Sequence, residues 1–143
     1  MIETLMLVDD EDLFHLVFED SCSLLDITLS LKSLKSSDEA ANFFKQSMNT
    51  RENRPECVFV DLNIIGSTLD GIELVKKINF EYGNHVVIGI ISSSDEATEQ
   101  ANAIKAGAQF WIVKTDEIEP RLEEFRKDYL GYKNRTLPFK IYR

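Results

Sequence analysis

Five short apolar runs, each followed by a stretch with helical spacing, set the strongest limit on what this chain can fold into. The runs are "TLMLV" (4–8), "ITLSL" (27–31), "CVFV" (57–60), "HVVIGII" (85–91) and "QFWIV" (109–113). Short runs rich in β-branched and aromatic residues suit strands buried on both faces. Between them, Phe14, Val17, Phe18 and Leu25 share one helical face, and Ala40, Phe43 and Phe44 a second. Ile72, Val75 and Ile78 or Leu74 make a third, Ala97, Ala101 and Ile104 a fourth, and Ile118, Leu122, Phe125 and Tyr129 a fifth. Ser37 ahead of an acidic turn, Asp70-Gly71 and Pro120 mark helix starts, and Gly107 marks the end of the fourth helix. Strands alternating with helices predict an α/β fold, (βα)5, with helices on both faces of a parallel sheet. The segment "NTRENRP" (49–55) reads as a connection.

At 143 residues and 16.4 kDa the chain suits one domain. No apolar run approaches the ~18 residues of a membrane span. The opening "MIETLMLVDDED" has no basic leader and does not read as a signal peptide, so the expected location is cytoplasmic. A formal net charge of -9 argues against nucleic-acid binding, which needs clustered Lys and Arg, and favours a metal ion or a basic partner. Cys22 and Cys57 stand among apolar neighbours without metal or redox spacing and read as buried thiols. His15 and His85 read as ordinary, partly buried histidines, each without a neighbouring acid–base set.

Open parallel sheets bind ligands beyond the carboxyl ends of their strands, where the strand order reverses. Here those ends carry chemistry. The first run is followed by Asp9-Asp10-Glu11, the third by Asp61, the fourth by Ser92 and the fifth by Lys114. Singly, such acids are turn residues or caps, and "SSSDEA" is a good helix-capping sequence in which Ser93 or Ser94 could serve. Jointly, crowded carboxylates repel one another unless a cation sits among them, and a hard, oxygen-ligated ion such as Mg2+ is the natural occupant. Carboxylates, a metal and an ammonium group suit phosphoryl transfer to a carboxylate.

On "LMLVDDED", "CVFVDLN", "IGIISSSDEA" and "AIKAGAQFWIVK" the sequence resembles the receiver domain of bacterial two-component response regulators, over about residues 4 to 130. The resemblance implies a CheY-like (flavodoxin-like) three-layer αβα fold with strand order 2-1-3-4-5. In that fold the first and fifth helices share one face of the sheet. It implies residues 1–130 as the receiver domain, with a short basic tail at 131–143 and no output domain. It further implies that Asp61 accepts a phosphoryl group from a sensor histidine kinase or histidine phosphotransfer protein. Asp10 and Asp61 would ligate Mg2+ directly, Asp9 through water and Asn63 through its backbone carbonyl. Ser92 would be the hydroxyl that turns toward the acyl phosphate, Trp111 the aromatic that moves with it, and Lys114 the cationic partner of the phosphate. Many relatives dimerise through the fourth and fifth helices, so a homodimer is one expectation.

Two features depart from that pattern. Asp61 to Asp70 is nine positions, longer than receiver domains usually have, and Ile65 stands about where they carry a proline. Lys114 is followed by Thr115 instead of the proline of the usual cis bond; a cis peptide before Thr would cost about 2.5 to 4 kcal/mol. Three function classes follow. One is a phosphorylation-dependent signalling switch that docks on a downstream protein, and another a receiver-like interaction module that works without phosphorylation. The third, a Mg2+ phosphatase with an aspartyl nucleophile, wants a second aspartate two positions on, where Asn63 stands; the chain is therefore not read as an enzyme. The tail "GYKNRTLPFKIYR" carries four basic residues and no acid. It docks on a partner, folds back on the acidic body, or, the favoured expectation, stays disordered.

Overall fold

The computed structural model describes residues 1–47, 54–115 and 117–143. The connection expected at 49–55 falls mostly outside them. In chain order the elements are β1 (Ile2–Val8), α1 (Asp12–Leu25), β2 (Thr28–Leu34), α2 (Ser37–Ser47), β3 (Cys57–Asp61), α3 (Gly71–Tyr82), β4 (Val87–Ser92), α4 (Ala97–Ala106), β5 (Phe110–Val113), α5 (Glu119–Lys133) and β6 (Lys140–Tyr142). All strand pairs are parallel and the order is β2-β1-β3-β4-β5-β6. The expected order is therefore present, extended by a sixth strand. Pairing of Leu5 with Cys57 and of Asp61 with Ile91 aligns the strand ends that carry the polar residues.

Alternate side chains of the central strands feed two cores. On one face Leu5, Leu7, Phe59, Phe110 and Ile112 meet Phe14 and Phe18 of α1 and Leu122, Phe125, Tyr129 and Tyr132 of α5. Phe59 stands edge-on to Phe125 and Phe110 at centroid distances of 5.0 and 5.1 Å, an arrangement favoured by the ring quadrupoles. On the other face Met6, Val58, Val60, Ile88, Ile90 and Trp111 meet α2, α3 and α4. The β2 strand lies at the edge and none of its residues is fully buried, so its polar residues alternate with apolar ones past the apolar run at 27–31. Cys22 and Cys57 are buried, and burial pushes the Cys22 thiol up to about 12.

Three local readings need correction. The α2 cap is Ser36, whose Oγ accepts the Glu39 N–H at 3.1 Å. Ser37, already helical, instead accepts from the Leu69 N–H at 3.0 Å and braces the long loop after β3. The buried face of α4 is Gln100, Ala103 and Ala106, while Ala97 and Ala101 are exposed and Ile104 is 50% exposed. Small residues on both sides of a short helix leave its apolar direction ambiguous, and packing against α3 selects the alanine face. On α1, Val17 is 37% exposed, and Ser21 and Cys22 fill the core-facing turn instead. The expected marks at Asp70, Pro120 and Gly107 are present: a capping box with Glu73, proline in the first turn of α5, and φ +110° at the end of α4.

The tail is ordered. Residues up to Lys133 belong to α5, and Lys140–Tyr142 pair with Phe110–Ile112. Tyr132 Oη donates to Tyr142 Oη at 2.7 Å, which donates to Asp128 at 2.8 Å; Lys140 reaches Asp128 at 2.8 Å and Glu124 at 3.1 Å. Phe139 and Ile141 pack on the core that contains Trp111. Disorder is thus overturned in favour of folding back. Basic side chains find acids on α5, and the alternating apolar ones complete the open β5 edge.

Candidate functional site

The β1 strand carries its chain into the sheet edge so that Asp9 is fully buried, with Asp10 half-buried beside it. Asp61 ends β3 at 9% exposure. One carboxylate oxygen from each of Asp9, Asp10 and Asp61 lies within 4.8 Å of the others. Lys114, just past β5, puts its Nζ 2.5 Å from Asp9 and 3.5 Å from Asp61. Its ammonium also lies 4.3 Å from the Phe14 ring centroid, a cation–π contact that fixes its direction.

Asp9 is held from several sides. Its carboxylate accepts the Glu11 N–H at 2.9 Å, and its backbone carbonyl accepts from His15 Nε2 at 2.6 Å. His15 is buried and braces the site's backbone, a role beyond the ordinary histidine expected, and Phe14, expected only on the α1 core face, lies against Lys114. An aromatic and a histidine five and six residues after Asp9 are the available signal. Among the described residues no backbone N–H donates to the Asp61 carboxylate, and Lys114 is its cationic neighbour. Burial pushes its carboxyl up to about 6; Asp9 and Asp10 add to the rise and Lys114 opposes it.

The α3 helix is seated directly on the end of β3. Gly71 N–H donates to the Leu62 carbonyl at 3.0 Å, and a Cβ on Gly71 would come within 2.2 Å of the Asp61 carbonyl. The longer loop is accommodated outward, with Ile65 80% exposed and Gly66 at φ +79°. Asn63 is exposed on that loop. No cis peptide occurs among the described residues, Lys114 and Thr115 included.

Ser92 and Trp111 share a partner in Ser94. Ser92 is buried and its Oγ accepts the Ser94 N–H at 3.1 Å. Trp111, fully buried, donates its indole N–H to the Ser94 carbonyl at 3.0 Å. The Ser94 hydroxyl donates to Glu99 at 2.6 Å and accepts the Glu96 N–H at 3.3 Å, a turn ahead of α4; the cap position of the helix is Glu96, without a side-chain cap, so neither Ser93 nor Ser94 caps it. The indole thus already lies inside the chain, bonded to the loop that follows Ser92.

The structure brings Asp9, Asp10, Asp61 and Lys114 together at one strand-end cleft, and joins Ser92 to Trp111 beside it. The donor atoms here are the oxygens of three carboxylates, with an ammonium beside them, and such a set fits a hard divalent cation better than a soft one. Proton chemistry at a buried carboxylate that stays ionisable near neutrality is also within its reach.

The family model described as the response regulator receiver domain matches residues 5–123. No curated protein matches the sequence. Among solved structures, the signal receiver domain of an HD domain-containing protein from Pseudomonas fluorescens Pf-5 is similar at 15% identity and a TM-score of 0.76, covering 94% of this chain and 99% of that one. A response regulator in red light signalling of R. palustris shares 20% identity at a TM-score of 0.73, covering 95% and 96%. The Mn(2+)-bound form of the response regulator Rcp1 shares 16% at a TM-score of 0.70, covering 94% and 96%. No helix among the described residues is long and apolar enough to cross a membrane.

Proposed function

The chain belongs to the response regulator receiver domain family, and we propose that it works there as a phosphorylation-dependent signalling switch with Asp61 as phosphoacceptor. The observation that carries this reading is the Asp61 carboxylate, buried yet ionisable, within 4.8 Å of two further carboxylates and 3.5 Å from an ammonium. In the reaction the P–N bond of a phosphohistidine breaks, a P–O bond forms to an Asp61 carboxylate oxygen, and the imidazole leaves. The donor is a sensor histidine kinase or a histidine phosphotransfer protein. Lys114 stays close enough to pair with the new charge while retaining Asp9.

Asp9, Asp10 and Asp61, with the Asn63 carbonyl, would hold Mg2+, and the ion supplies charge neutralisation for the phosphoryl oxygens. The Mn(2+)-bound Rcp1 structure supports a divalent ion in this fold. Asn63, exposed and without a carboxylate, cannot act as the acid–base group of a phosphatase, which favours a phosphoacceptor over an enzyme. A stored acyl phosphate would draw the Ser92 hydroxyl toward Asp61 and lengthen its bond to Ser94. Trp111 is held by the same residue, so the change reaches the surface near α4 and β5, where a downstream protein docks. A homodimer through α4 and α5 would include β6, since β6 covers the β5 edge.

The phosphorylation-independent module is favoured by one observation, the enlarged and outward loop carrying Ile65. Titration with Mg2+ and beryllofluoride, an acyl-phosphate mimic, separates the two. The switch predicts a saturable change in Trp111 fluorescence and altered capture of a partner protein; unchanged fluorescence and capture support the module.

A further inference from the structure

The β6 strand reaches beyond the edge it completes. Arg143 Nε donates to Asp95 Oδ2 at 2.7 Å, bridging the end of the tail to the loop between β4 and α4. Gln100, buried on α4, donates to the other Asp95 oxygen at 2.6 Å. Together these hydrogen bonds hold the Asp95 carboxyl below the usual carboxylate range, Arg143 contributing most. Asp95 adjoins Ser94, whose backbone grips Ser92 through its N–H and Trp111 through its carbonyl. On the strand side Ile141 is in register with Trp111, and Tyr142 and Lys140 anchor β6 to α5 through Asp128.

We propose that Asp95 and Arg143 are a positioning pair through which docked β6 holds the β4–α4 loop, and with it Ser92 and Trp111, in its resting setting, so that β6 docking and occupancy of Asp61 oppose each other. The proposal rests on the switch reading above. Turning Ser92 inward requires the Ser94 backbone to shift, and Asp95, fixed by α4 on one side and the tail on the other, resists that shift. Coupling of this kind is reciprocal: releasing Asp95 from the tail eases occupancy of the acidic cleft, and occupancy loosens Arg143. Arg143 is 61% and Asp95 38% exposed at the side chain, so the pair contributes little to global unfolding and its effect is read at the switch.

The test uses Arg143→Ala, Asp95→Ala and Arg143→Lys variants of the 143-residue chain. The chain has one tryptophan, so the indole N–H gives a single NMR resonance. Without phosphoryl mimic, both alanine variants should move that resonance in the same direction, and Arg143→Lys should move it less. With Mg2+ and beryllofluoride, the alanine variants should bind about two- to fivefold more tightly than wild type, the scale of one partly exposed ion pair. An unmoved indole resonance, or a beryllofluoride affinity equal to or weaker than wild type, overturns the proposal. Wild-type protein that takes up no beryllofluoride overturns the proposed function instead, and the indole resonance alone then decides the pair.

Discussion

Asp61 is an ionisable group placed where ionisation is disfavoured, and this sets its effect on stability. Its carboxyl is raised from an ordinary 3.8 to about 6, so between those values the folded chain holds a proton that the unfolded chain releases. Folding therefore loses stability as pH rises through this window, and the full penalty is present above about pH 6. Asp61→Asn, which cannot ionise, should be more stable than wild type at pH 7 by about 1 to 3 kcal/mol, with the advantage vanishing toward pH 4. Urea unfolding at pH 7 and pH 4 checks it, and a variant no more stable than wild type at pH 7 would contradict the raised carboxyl. The acids, Ser92 and Lys114 were legible because each ends an apolar run. Phe14, His15 and Ser94 were not, because their contributions are a ring face, a bond to a backbone carbonyl and a backbone grip, none of which has a residue-type signature.

Among the elements, the junction of β3 with α3 fixes where Asp61 sits. Gly71→Ala would drive a methyl group into the Asp61 carbonyl and the Leu62 backbone, so it should cost about 1 to 3 kcal/mol and weaken Mg2+ binding as well. Loss of stability with unchanged Mg2+ affinity would mean that this junction does not position the site. The junction was half legible: Asp70-Gly71 announced the start of α3, but the backbone contact that requires glycine depends on tertiary packing. The β6 strand was illegible for a different reason. Three residues in a basic tail give too short a pattern, and their partners are the edge of β5 and acids on α5. Tyr142→Phe should strand the buried Tyr132 hydroxyl and cost about 1 to 2 kcal/mol in thermal or denaturant unfolding. No loss would show that β6 adds nothing to the fold.

For the molecule as a whole, strand order makes the site: β1 and β3 are neighbours at the centre of the sheet, and their adjacent ends bring Asp9, Asp10 and Asp61 together from residues more than fifty positions apart. Alternating runs predicted five parallel strands and the resemblance to receiver domains implied their order, while the sixth strand depended on the completed sheet. Because the repulsion among the three acids exists only in the folded chain, Mg2+ should raise the melting temperature, and Asp10→Ala should abolish the rise; an undiminished Mg2+ response in that variant would put the ion elsewhere. The central claim, that this cleft stores a phosphoryl group on Asp61, is tested most directly by intact mass after incubation with acetyl phosphate and Mg2+. Wild type should gain one phosphoryl group and Asp61→Asn none. Wild type left unlabelled, or Asp61→Asn labelled to the same extent, would contradict it.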